Sequence, residues 1–112
     1  MQITTQEQDG VAIIAIEGQI DSKTAPDAQD QLLPLVQAHE HIVMDLNELT
    51  FMSSAGLRIM LLLYRQATAR NGKVAIVGLS DPIKDTMQAT GFLDFFVICS
   101  SIEEATQAVL AP

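Results

Sequence analysis

The chain has 112 residues, 48% of them hydrophobic and 18% charged, which suits a single domain over residues 1–112 with a substantial core and excludes a disordered chain. Six Lys and Arg against 14 Asp and Glu leave a net charge of −8, a surface that repels phosphate backbones and anionic lipid heads, so no direct nucleic-acid partner is expected. No apolar run reaches the roughly 18 residues of a membrane helix and Met1–Asp9 carry no basic leader, so the expectation is a cytoplasmic protein without membrane insertion.

Ile3 and Thr5 alternate with Gln2, Thr4 and Gln6, a period of two that predicts an edge strand with one wet face, and Asp9-Gly10 supplies a hairpin turn. Val11 to Ile16 is apolar at every position, as in a central strand covered on both faces. Thr24, with Pro26 and then Asp27 three residues on, predicts a capping box opening a helix. Ala28, Leu32 and Leu35 continue its buried stripe, and Pro34 predicts a kink or an early end. His39 and His41, the only histidines, read as solvated surface in an acidic, loop-like stretch, and no metal or cofactor is expected.

Ile42 to Leu46 predicts a third strand, Gly72 stops a long helical segment, and Val74 to Val77 predicts a fourth strand. In the long helix Leu57, Met60, Leu61 and Tyr64 are expected to face the sheet, leaving Ile59, Leu62 and Leu63 for neighbouring helices or a partner protein to cover. Ser80-Asp81-Pro82 opens a third helix that ends at Gly91, Phe95 to Ile98 predicts a fifth strand, and Ser101 with Glu104 makes a second capping box before a last helix carrying Ala105 and Val109. Cys99 is alone and excludes an internal disulfide. Strands separated by single helices run parallel, so the class is α/β with a mixed sheet of four to five strands and about four helices.

Chemistry concentrates between the third strand and the long helix, in a stretch read as a loop, Asn47-Glu48-Leu49-Thr50-Phe51-Met52-Ser53-Ser54-Ala55-Gly56-Leu57, because ligands gather at this end of an open α/β sheet. Either serine suits a helix cap, and the bland reading is that one of them is no more than that. A hydrolase nucleophile elbow fails, because G-x-S-x-G would need Gly where Met52 stands and both histidines precede Ser54. No phosphate-cradling glycine motif occurs. The loop offers a hydroxyl without a base, so no catalytic residue and no enzymatic turnover are expected.

Three separated stretches resemble the STAS family, known for bacterial anti-sigma factor antagonists controlled by serine phosphorylation. They are Gly18-Gln19-Ile20-Asp21 with Thr24-Ala25, Met44-Asp45-Leu46 followed by Phe51-Met52-Ser53-Ser54-Ala55-Gly56-Leu57-Arg58, and Thr90-Gly91-Phe92 followed by Phe95–Ile98 and Ser101-Ile102-Glu103-Glu104-Ala105. The resemblance implies a right-handed strand-helix superhelix with a mixed sheet. It implies phosphorylation of Ser54, two residues before Gly56-Leu57, with Ser53 as the alternative, standing where many relatives carry Asp. Asp21 matches a position presented to the kinase partner, and Asp21, Ser53, Ser54, Gly56 and Arg58 are the implied partner-binding residues. The implied function is that of an anti-sigma factor antagonist whose partners are an anti-sigma factor that is also a serine kinase, and a serine phosphatase. The alternative is a STAS scaffold subunit of a transporter-associated or stressosome-like assembly.

Overall fold

The computed structural model describes residues 1–112. Strand β1 (Gln2–Gln8) pairs antiparallel with β2 (Val11–Ile20), Gln8 opposite Val11. Asp9 and Gly10, at φ 55° and 80°, form the expected two-residue turn, whose twist requires positive φ at both positions. Beyond β2 the sheet continues through β3 (His41–Asp45), β5 (Lys73–Val77) and β6 (Val97–Cys99), all parallel to it, in the order β1-β2-β3-β5-β6.

A sixth strand, β4 (Leu49–Met52), occupies part of the stretch expected to be loop and pairs parallel with Gly18–Ile20 of β2. Two features make it possible. Asp45 Oδ1 accepts from the backbone N–H and the Nδ2 of Asn47 at 3.1 and 2.7 Å, turning the chain after β3. Gly18, at φ 101°, faces Leu49 while Gln19 faces Phe51, so Thr50 is the extra residue of a bulge in the new strand.

Four helices cover the sheet: α1 (Ala25–Ala38), α2 (Ser54–Ala69), α3 (Asp81–Ala89) and α4 (Ile102–Leu110). Alternation in β2 explains the two cores. Ala12, Ile14 and Ile16 join the large cluster with residues of α1, α2 and α3, whereas Val11 and Ile13 join a small one under Ala105 and Val109 of α4. No polar or charged side chain is buried in either.

Several local expectations are corrected. Helix α1 continues past Pro34 to Ala38, and its buried stripe is Ala25, Ala28, Leu32 and Val36, with Leu35 only half-buried. His39 and His41 are not freely solvated. His41 begins β3, and the His39 ring, 19% exposed, donates from Nδ1 to the Leu35 carbonyl at 2.9 Å while Nε2 lies 3.5 Å from Glu7 of β1. A carbonyl only accepts, so the ring caps a helix end whose own backbone has turned extended.

In α2 the buried residues are Gly56, Leu57, Ile59, Met60, Leu63 and Ala67. Ile59 and Leu63 are covered within the chain, Ile59 alongside Ala25, Pro26 and Gln29 of the neighbouring helix α1, whereas Leu61 and Tyr64, expected to face the sheet, are only half-buried. Tyr64 instead packs with Phe95 and Phe96, ring centroids 5.3 and 5.5 Å away. Phe92–Phe95 form a 3₁₀ turn, so the last strand begins at Val97 and not at Phe95. The left-handed residue that ends α2 is Asn71 at φ 61°, with Gly72 donating to the Ala67 carbonyl at 2.8 Å as the last member of a Schellman turn. Gly72 is required for space: a Cβ there would lie 2.6 Å from the Glu40 carbonyl oxygen.

Candidate functional site

Ile20 and Met52 are Cα partners at the ends of β2 and β4, so the chains leave the sheet side by side, about 4.8 Å apart. The next residues are Asp21 and Ser53. Ser53 N–H donates to the Ile20 carbonyl at 2.8 Å, which ties the two segments together just before each becomes a helix. Asp21 and the two serines thus share one edge of the sheet.

Before α1, the Asp21 carboxylate accepts from the backbone N–H of Lys23 at 2.9 Å and of Thr24 at 3.0 Å. The Thr24 hydroxyl accepts from Asp21 N–H and donates to the Gln19 carbonyl, both at 2.9 Å. The expected capping box is therefore absent: Thr24 is the N-cap, but its hydroxyl caps nothing in the helix, being engaged with the turn that precedes it. The backbone N–H donors of Thr24 and Lys23 stabilise the ionised carboxylate and hold the Asp21 pKa below the usual carboxylate range.

Before α2, Ser53 is the N-cap and its hydroxyl accepts from Gly56 N–H at 3.4 Å, a long bond. Ser54 is the first helical residue and is exposed, whereas Ser53 is half-buried. Gly56 is buried, and a Cβ on it would lie 2.7 Å from Met52 Cγ, 3.0 Å from Ile20 Cγ2 and 3.1 Å from the Ile20 carbonyl oxygen. Its contribution is close approach of helix to strand, so it offers no contact surface of its own. Arg58 is exposed one turn after Ser54 and lines a shallow open groove between α1 and α2 with Ser22, Gln29 and Ala55.

Both histidines stand at the other end of the molecule. Helix α1 has 14 residues and starts beside Asp21, so His39 at its far end is roughly 20 Å from the serines at 1.5 Å per residue. Neither histidine reaches Ser53 or Ser54 as a base. Cys99 is buried, and desolvation, with the nearby Glu104, pushes its thiol pKa up, the reverse of a reactive thiolate.

A family model described as the STAS domain matches residues 2–105. The chain belongs to the STAS domain family. A Bordetella bronchiseptica protein named as the anti-sigma factor antagonist BtrV is 31% identical to this STAS domain over 109 residues, covering 96% of this chain and 94% of the relative. An anti-sigma factor antagonist from Mycobacterium paratuberculosis has the same fold, with a TM-score of 0.88 at 24% identity, covering 98% of this chain and 94% of that one. So does the phosphorylated form of the Bacillus cell fate determinant SpoIIAA, with a TM-score of 0.74 at 19% identity, covering 96% and 99%.

Reasoning from residue types missed two parts of this edge. One is β4, whose pattern of buried Leu49 and Met52 around exposed Thr50 and Phe51 is too short to separate from loop. The other is Phe51 itself, 48% exposed beside Pro82 and Ile83 of α3, an apolar side chain left in water next to the serines.

Proposed function

We propose that this STAS domain is an anti-sigma factor antagonist: unmodified, it binds an anti-sigma factor that is also a serine kinase, frees that protein's target, and is switched off by phosphorylation of Ser54. Kinship with proteins named for this activity supports the class. The observation that carries the choice of residue is the difference between the two serines. Ser54 presents its side chain to solvent at the first turn of α2, while the Ser53 hydroxyl is half-buried and engaged with Gly56 N–H. A serine phosphatase reverses the switch.

The chemistry of such a switch lies at the surface. A phosphoserine carries about −1.5 to −2 charges, and at the start of a helix the backbone dipole favours it by ~0.3 to 1 kcal/mol, so the fold tolerates the group. A partner packed over the hydroxyl would have to desolvate a dianion, which costs several kcal/mol. Asp21, Ser53 and Arg58 border Ser54 on the surface that such a partner would cover, and Gly56 sets the height of the helix beneath it.

The test is affinity capture from cell extract with and without phosphatase treatment, followed by mass spectrometry. A serine kinase recovered on the dephosphorylated protein alone, with phosphate on Ser54 of the untreated protein, is the expected result. Capture of a transporter or a large assembly irrespective of phosphate would replace the antagonist reading with that of a scaffold subunit, and phosphate chiefly on Ser53 would move the switch by one residue.

A further inference from the structure

Arg58 stands four residues after Ser54 on α2, and both side chains are exposed. Residues at this spacing lie on one helix face with Cβ atoms about 5 to 6 Å apart. Helical side chains lean toward the N-terminus of their helix, so the Arg58 side chain is inclined toward Ser54. An anion at the earlier position and a cation at the later one is also the favourable order for such a pair.

Nothing in the chain competes for the guanidinium. The one side-chain ion pair joins His39 to Glu7 at the far end of α1, and α2 has no acidic residue in its first turn. The other three helices each carry at least one there: Asp27, Asp81, and Glu103 with Glu104. Lys23 is the other cation at this edge, but it lies beside Asp21 and already acts on that carboxylate.

We infer that Arg58 is the internal counter-ion of phosphorylated Ser54: its guanidinium is free for a partner's carboxylate in the unmodified protein and folds back onto the phosphate once the serine is modified. The inference rests on the reading of Ser54 as the modified residue. It adds a second way in which phosphorylation ends binding, because the modification both introduces an anion and removes a cation from the contact surface. A bidentate guanidinium suits phosphate oxygens better than an ammonium does.

The experiment uses full-length protein with phosphoserine installed at position 54 by genetic encoding, so its result does not depend on any kinase. The phosphate is titrated by phosphorus NMR in the Arg58 protein and in the Arg58→Gln, Arg58→Lys and Lys23→Gln variants. Circular dichroism confirms that each is folded. Arg58→Gln is expected to raise the second phosphate pKa by about 0.3 of a pH unit or more, the shift that a helix ion pair of ~0.5 kcal/mol produces at 1.36 kcal/mol per unit. Arg58→Lys should lie between the two, Lys23→Gln should leave the titration where it was, and the Arg58 Nε–H resonance should follow the phosphate titration. Identical titrations of the Arg58 protein and the Arg58→Gln variant, or a shift produced by Lys23→Gln alone, would overturn the inference. Phosphate mapped to another residue in cells would instead overturn the assignment of Ser54 while leaving this result intact.

Discussion

Helices α1 and α2 begin at the same edge of the sheet, from adjacent parallel strands, yet the two starts are built in opposite ways. The turn before α1 is saturated by its own side chains: Asp21 and Thr24 between them satisfy three backbone N–H groups and one carbonyl. The start of α2 has a single long cap bond from Gly56 to Ser53, no acid in its first turn, and a glycine packed against Ile20 and Met52. The first start already carries two carboxylates, Asp21 in the turn and Asp27 in the first helical turn, whereas the second carries none. A negative group added to the first meets like charge, and one added to the second meets only the positive end of the helix.

The largest effect that would sharpen this contrast is on binding. Phosphate on Ser54 should weaken the partner complex by at least about 100-fold, since an uncompensated buried charge costs about 3 to 5 kcal/mol and each tenfold in affinity is about 1.4 kcal/mol. The melting temperature should hold or rise slightly. Isothermal titration calorimetry and differential scanning calorimetry on the same phosphoprotein check both halves, and a large fall in melting temperature would mean that phosphate acts through stability.

Next is the packing that sets the second start. Gly56→Ala should cost about 1 to 2 kcal/mol, because overpacking by one carbon typically costs 1 to 3 kcal/mol and the better helix propensity of Ala returns up to ~1 kcal/mol. Urea denaturation measures it. A neutral result would show that Ile20 and Met52 give way, and that the close approach of α2 is not required.

Smaller changes test the hydrogen bonds themselves. Thr24→Val should cost about 1 kcal/mol through the loss of two 2.9 Å bonds, and Ser53→Ala about 0.5 kcal/mol, since its cap bond is long. The reverse order in urea midpoints would break the contrast between the two starts. The smallest effect is in acid. Asp21 has a lowered folded pKa, so its contribution is complete above the unfolded carboxylate value of about 3.9 and is lost as pH falls through the folded one. Asp21→Asn should therefore flatten the fall in urea midpoint below about pH 4 and leave the slope near neutrality unchanged.

Sequence patterns carried the parts of the fold that depend on neighbours along the chain. Asp9-Gly10 codes for a turn wherever it joins two strand-like runs. Ser101 caps α4 as expected, its hydroxyl accepting from Glu104 N–H at 3.1 Å, although the Glu104 carboxylate takes the hydroxyl of Ser100 at 2.8 Å instead of completing the box. Thr24 shows the limit of the same rule, because its hydroxyl found closer partners in Gln19 and Asp21. Residue type alone marked both serines as helix caps, and the family resemblance then singled out Ser54, Asp21 and Arg58, but the difference in burial between Ser53 and Ser54 was not legible, since both fit a cap equally well.

The residue pattern by itself determined the α/β class, the hairpin and the four helices, because turn chemistry and hydrophobic period act over a few residues, and the family was legible only through the resemblance of three motif stretches. Only the tertiary structure decided that Leu49–Met52 is a strand, that Ile59 and Leu63 face inward while Tyr64 meets the phenylalanines, and that Asp21 and Ser53 leave the sheet as neighbours. Each of these depends on a partner distant in the chain: the end of β2, the flank of α1, the 3₁₀ turn at Phe92–Phe95. Local propensity is silent about such partners, and burial against them selects one arrangement among several that the chain allows.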